Sequence, residues 1–162
     1  MILFLDMDGV LDDFVKGANE LGIVFGNDRH FLGNIENGYA KINKKGIKFW
    51  TDLEWMPEGE KLFRYCCANF KDIQILSSLT RSKDCLKGKV MWCKKNLLPI
   101  AKEYGIKLKL NFVHNKKHKE KFSGKDNILI DDDLENINSW KNKNAIHYLN
   151  LSNTIARLEM LQ

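Results

Sequence analysis

Proline is nearly absent from this chain of 162 residues, with Pro57 and Pro99 standing against 11 glycines. At 44% hydrophobic residues, that balance excludes a collagen-like, low-complexity or disordered chain. No apolar run approaches the roughly 20 residues that a bilayer-spanning helix needs, so no membrane partner is expected. The opening MILFLDMDGV has an apolar run with no basic segment before it, and two carboxylates follow at once. That is unlike a secretory leader, and a cytoplasmic protein is expected. Cysteine is sparse as well: Cys66, Cys67, Cys85 and Cys93 make no C-x-x-C pair, which argues against a zinc clamp and predicts free, mostly buried thiols. No repeat and no long linker divides the chain, whose length suits one domain with a small insertion.

Lys+Arg 26 against Asp+Glu 21 leaves a net charge of +5, almost all of the excess being lysine. Such a charge favours anionic partners such as phosphate compounds, although a compositional bias toward Lys and Asn gives the same figure. Short continuous apolar runs at residues 1–5, 73–76, 108–113, 128–130 and 146–149 have the pattern of buried parallel strands. Helical stripes lie between them: Phe14, Ala18 and Leu21; Leu62, Phe63, Cys66, Cys67 and Phe70; Leu86, Val90, Cys93 and Leu97; Leu134, Ile137 and Trp140. Pro99 is expected to kink or end the third. Asp133 is expected to cap the fourth, and Ser152 a last helix carrying Ile155, Leu158 and Leu161. Trp92 and Trp140 are assigned to packing. The alternation predicts an α/β fold, a doubly wound and mainly parallel sheet with helices on both faces. Residues 1–21 and 59–162 form the expected core. Residues 22–58, glycine-rich and without a clear strand, form an expected cap inserted after the first strand.

In such a sheet, ligands bind at the carboxyl ends of the strands. The first expected strand ends in Asp6-Met7-Asp8-Gly9, the second in Ser77-Ser78 and the fourth in Asp131-Asp132-Asp133, while a Lys-rich loop, 116–125, follows the third. Converging carboxylates repel, and they demand either a proton or a cation. Hard oxygen donors suit Mg²⁺, which takes phosphate as a co-ligand. A hydroxyl and a lysine beside them fit phosphate oxygens, so the set points to magnesium-assisted phosphoryl transfer with an aspartate nucleophile.

The run Phe4-Leu5-Asp6-Met7-Asp8-Gly9-Val10-Leu11 resembles the first motif of the haloacid dehalogenase (HAD) superfamily, mostly phosphatases. Ile75-Leu76-Ser77 is similar to its second motif, Lys121 to the lysine of its third, and Ile128-Leu129-Ile130-Asp131-Asp132 to its acidic fourth. Lys116, Lys117, Lys119 and Lys125 are competing lysines in the same loop. The surroundings resemble the 5′(3′)-deoxyribonucleotidase family, whose opening D-M-D-G-V-L-A-D-F is close to residues 6–14, and whose cap segment is close to residues 49–59. Ser77-Ser78-Leu79 departs from that family's usual Thr-Ser-Pro. The resemblance implies a HAD-like core with a small cap, and the following roles. Asp6 attacks phosphorus; Asp8 is the general acid and base. Asp6, the Asp8 backbone carbonyl and Asp131 hold Mg²⁺, with Asp132 supporting its waters. Ser77 and Lys121 bind the phosphoryl group, joined by Ser78, Arg81 and backbone N–H groups near Gly9. Phe49, Trp50 and Trp55 stack on a base, or else staple the cap to the core.

The expected activity is therefore a Mg²⁺-dependent phosphomonoester hydrolase using an aspartyl-phosphate, acting on a small phosphorylated substrate such as a (deoxy)ribonucleoside monophosphate. Two alternatives remain: a polynucleotide end phosphatase, suggested by the basic charge, and a non-catalytic nucleic-acid-binding protein of this fold. A cap over the site would exclude a polymer and so favours the small substrate.

Overall fold

A computed structural model describes residues 1–26 and 31–161, so part of the expected cap, 27–30, lies outside the described residues. In chain order the elements are β1 Leu3–Leu5, α1 Phe14–Glu20, β2 Val24–Phe25, β3 Phe31–Leu32, α2 Ile35–Lys45, α3 Ile47–Thr51, α4 Gly59–Asn69, β4 Ile73–Ser78, α5 Cys85–Glu103, β5 Lys109–Val113, a 3₁₀ helix Lys116–Phe122, β6 Ile128–Asp131, α6 Leu134–Ser139, β7 Ala145–His147 and α7 Leu151–Glu159. Five strands form one sheet in the order β5-β4-β1-β6-β7, and every pairing in it is parallel. β2 and β3 make a separate two-stranded antiparallel pair, in a stretch where the sequence suggests no strand.

Period-two alternation divides the sheet's apolar residues between its faces. Leu3, Leu5, Ile73, Ile75, Ile128 and Ile130 join the larger core cluster. Phe4, Leu76 and Leu129 join a smaller one, completed by Val113 and Trp140. The central strands are buried on both faces, which is why they read as unbroken apolar runs.

The expected cap does not stand apart from this core. Phe49, Trp50 and Leu53 belong to the larger cluster, and α3 packs against α5. Gly88 makes that approach possible: a Cβ there would lie 2.2 Å from Trp50 Cβ. The indole Nε1 of Trp92 donates to the Leu53 carbonyl at 2.8 Å, and that of Trp140 to the Asn127 carbonyl at 3.2 Å, so both rings are packed and satisfied.

Three local expectations need correction. α5 does not end at Pro99 but continues to Glu103; both Pro99 and Lys95 are exposed, so the Lys95 carbonyl that loses its i+4 partner faces water. Asn150, not Ser152, caps α7, its side chain accepting from Asn153 N at 2.9 Å. The Lys-rich segment is a 3₁₀ helix and not a loop. Asp133 does cap α6, accepting from Glu135 N at 2.8 Å. All four cysteines are free and buried. Burial pushes Cys67 up to about 11 and Cys93 to about 12, so they stay neutral thiols. Among the described residues no helix is long and apolar enough to cross a membrane.

Candidate active site

The sheet order places a reversal at β1: the chain builds outward to β4 and β5, then returns to the other side of β1 for β6 and β7. Open α/β sheets bind ligands at the carboxyl ends of the strands beside such a reversal. Leu5 is in register with Ile130 on one side and Ile75 on the other. The next residue of β1, Asp6, therefore meets Asp131, while β4 brings Ser77 and Ser78 to the same edge. Beyond Asp6 the chain curls tightly. Gly9 takes φ 78°, a left-handed conformation in which a Cβ is strained, and N–H groups of Val10, Leu11 and Asp12 all turn back to the Met7 carbonyl. The Gly9 N–H itself donates to the Asp12 carbonyl at 2.8 Å, so these N–H groups, among those near Gly9 expected to meet phosphate, are already engaged within the turn.

Two buried lysines organise the carboxylates. Lys119, 1% exposed, sets its ammonium 2.9 Å from Asp6 Oδ1 and 2.8 Å from Asp131 Oδ2. Lys89, equally buried, reaches down from α5 and donates to Asp8 Oδ2 at 2.7 Å, Ser77 Oγ at 2.9 Å and the Ser78 carbonyl at 2.9 Å. Burial works against both charges, and the neighbouring carboxylates outweigh it, Asp8 for Lys89 and Asp6 with Asp131 for Lys119, so both ammonium groups are held above the usual lysine range.

Asp131 is the most elaborately held carboxylate. Its oxygens also accept from Asp133 N at 2.9 Å and from Asn136 Nδ2 at 3.1 and 3.0 Å. Even so, burial and then the charge of Asp6 push it up to about 6. Asp12 lies fully buried behind Asp8, with neither carboxylate oxygen hydrogen-bonded. Burial and the Asp8 charge raise it well above the carboxylate range, and a neutral acid is the form that position tolerates.

One carboxylate oxygen each from Asp6, Asp131 and Asp132 lies within 4.8 Å of the other two. These are hard oxygen donors, and together with Asp8 they outnumber the ammonium groups, so the set fits Mg²⁺. The Asp8 side chain is outside that trio and paired with Lys89.

Several expected site residues stand elsewhere. Lys121 is exposed, and Lys119 takes the place given to it. The cause is the 3₁₀ period, in which i and i+3 eclipse: Phe122, packed 5.5 Å from Phe4, turns Lys119 inward and leaves Lys117 and Lys121 facing solvent. Lys116 pairs with Asp133 and Glu135 at 2.8 and 2.7 Å. Arg81 is exposed and paired with Glu36 of α2 at 2.6 Å. Ser78 presents its backbone carbonyl to Lys89. Phe49 and Trp50 are buried; Trp50 donates to Ser82 Oγ at 3.3 Å and underlies the Lys89 ammonium at 5.7 Å. Trp55 packs edge-on to Trp92 at 4.9 Å. Phe49 and Trp50 are therefore staples between the insertion and the core, while Trp55 is half-buried against Trp92.

Lys89 and Asp12 are site residues that the sequence motifs did not single out. Lys89 carried a signal: Cys85 and Cys93 flank it at i−4 and i+4 on a buried helix face, where an unpaired lysine is not tolerated.

No family model matches the chain, and no curated protein matches it. Two solved structures do. A protein described as a β-phosphoglucomutase of Thermotoga maritima shares 14% identity and a TM-score of 0.48 over 97% of this chain and 91% of that one. A hydrolase of Streptococcus pneumoniae shares 13% identity and a TM-score of 0.49 over 97% of both chains.

Proposed function

We propose that this chain is a HAD-type, Mg²⁺-dependent phosphomonoester hydrolase, acting on small substrates of which nucleoside monophosphates are the expected class. The observation that carries it is the pair of buried lysines at the strand-end reversal, one joining Asp6 to Asp131 and the other joining Asp8 to Ser77. Solvated acidic loops have no need of buried ammonium partners, whereas a site that receives a phosphoryl group does.

An Asp6 carboxylate oxygen attacks phosphorus and the ester P–O bond breaks, leaving an aspartyl-phosphate on Asp6. Asp8 in its acid form gives its proton to the departing oxygen. Water then attacks the phosphorus of that intermediate and returns a proton to Asp8, regenerating the Asp6 carboxylate and releasing phosphate. Ser77, Lys89 and Lys119 hold and neutralise the phosphoryl oxygens in both halves. Asp6, Asp131 and Asp132 would hold Mg²⁺, which supplies further charge neutralisation on the phosphoryl group.

The test is phosphate release from a panel of nucleoside monophosphates and one end-phosphorylated oligonucleotide, with Mg²⁺ and with EDTA, by wild type and Asp6→Asn. Release that needs Mg²⁺ and disappears in the variant supports the reading. Release that survives Asp6→Asn rejects the nucleophile, and preference for the oligonucleotide moves the substrate class to nucleic-acid ends.

A further inference from the structure

An ammonium carries three N–H donors and accepts nothing. Lys89 spends all three on the protein, at 2.7 Å on Asp8 Oδ2, 2.9 Å on Ser77 Oγ and 2.9 Å on the Ser78 carbonyl. At 1% exposure no solvent competes for them, and the Trp50 ring lies 5.7 Å from the ammonium, within cation–π range. Lys89 therefore acts on a phosphoryl group through Ser77 and through its charge, with no N–H left to touch it. Its other charged partner is the looser one. The Asp8 side chain is 25% exposed, and its Oδ1 accepts no hydrogen bond. The bond from Lys89 to Oδ2 is what keeps rotation about Cα–Cβ from swinging that carboxyl among its staggered positions.

We propose that Lys89 is a positioning residue for the departure of the leaving group: it holds the Asp8 carboxyl where the ester oxygen leaves, so its loss is felt most by substrates whose leaving group needs a proton. The inference rests on the phosphatase reading for the role of Asp8, and adds to it a residue on α5 that belongs to none of the sequence motifs. An alkoxide, such as that of a nucleoside or of benzyl alcohol, needs a proton to depart, whereas p-nitrophenolate is stable enough to depart without one. A lysine that only neutralised phosphoryl oxygens would be missed equally with both kinds of ester. Lys119, which pairs with Asp6 and Asp131, is the internal comparison.

The test is kcat/KM with Mg²⁺ for benzyl phosphate and p-nitrophenyl phosphate, two esters of similar size. It is measured on wild type, Lys89→Met, Lys119→Met, Asp8→Asn and the double variant Asp8→Asn/Lys89→Met. This constant covers the steps through ester cleavage, so later hydrolysis of the aspartyl-phosphate does not enter it, and partial unfolding of a variant lowers both substrates alike. Misplacing a general acid forfeits part of the roughly 10²–10⁴-fold it contributes, so Lys89→Met should lower benzyl phosphate at least about tenfold more than p-nitrophenyl phosphate. Lys119→Met should lower the two within about threefold of each other, and in the Asp8→Asn background Lys89→Met should shift their ratio by no more than about twofold. Equal loss on both substrates in Lys89→Met overturns the proposal and leaves the phosphatase reading intact, as does an extra loss on benzyl phosphate that persists in the Asp8→Asn background. Wild type inert toward both esters also overturns it, and release from the nucleotide panel then decides whether the phosphatase reading falls too. If Lys89→Met does not fold, Lys89→Gln is read in the same way.

Discussion

Lys119 and Lys121 differ by two positions and by almost everything that matters to a site. The first is buried between two carboxylates and the second is in water. Lys119→Met removes the cation shared by Asp6 and Asp131, so phosphate release should fall by about a hundredfold or more, the scale of losing one preorganised electrostatic partner. Lys121→Met should stay within about twofold of wild type. A steady-state comparison of the two variants checks this, and the reverse ranking would remove Lys119 from the site. The loop's chemistry was legible in the sequence, since five lysines precede three aspartates at a strand end. The particular lysine was not, because the choice depends on a 3₁₀ turn whose face is set by Phe122 packing on Phe4. Asp6, Asp131 and Ser77 were legible for a simpler reason: each follows an apolar run whose burial fixes where the next residue must be. Lys89 had no motif, and its meaning emerges only when α5 is laid beside β4 and the Asp8 turn.

Among elements, the strands and long helices were readable and the insertion was not. β1, β4, β5, β6 and β7 all lie within two residues of their apolar runs, because double-sided burial leaves an unmistakable pattern. Residues 22–58 carry no such pattern, since α2 and α3 bury only part of their surface. Their aromatic residues were ambiguous between a ligand platform and a staple, and packing of α3 on α5 decides for the staple at Phe49 and Trp50. That interface makes its own prediction at Gly88. In an exposed helix interior, Gly→Ala adds about 1 kcal/mol of stability. Here the new methyl would start 2.2 Å from Trp50 Cβ and 2.8 Å from Cγ, where α3 must retreat. Gly88→Ala should therefore be destabilised by about 1–3 kcal/mol, the range for overpacking a filled core, as read from urea unfolding. An unchanged or higher midpoint would mean that α3 is not held against α5 as closely as described. Because Trp50 also underlies Lys89, the same variant should lose activity beyond its loss of stability.

At the scale of the whole molecule, a chain of net charge +5 nonetheless gathers four of its carboxylates at one end of the sheet. The overall field favours an anionic substrate, and the local excess of Asp6, Asp8, Asp131 and Asp132 favours a divalent cation. Stability should reveal this balance through pH. Asp131 is pushed up to about 6 from an ordinary value of 3.8, by burial and by Asp6. Between those values the native state binds the proton more often than the unfolded one does. Metal-free stability therefore falls as pH rises through the window, and the loss is complete above about pH 6. Asp12 is raised by burial and Asp8 and acts with the same sign. Asp133, which Lys116 holds low despite partial burial, acts with the opposite sign, so the raw pH profile mixes the two. The gain on adding Mg²⁺ separates them, because the cation binds the ionised carboxylates and competes with protons at Asp131. At a Mg²⁺ concentration about 100 times its Kd, the stabilisation is about 2.7 kcal/mol, or roughly 5–10 °C for a chain of this size. Thermal unfolding at pH 5, 6 and 7.5, each with EDTA and with Mg²⁺, should show that gain nearly in full at pH 7.5 and much reduced at pH 5. A gain equal at all three, or largest at pH 5, would mean that the cation sits away from Asp131.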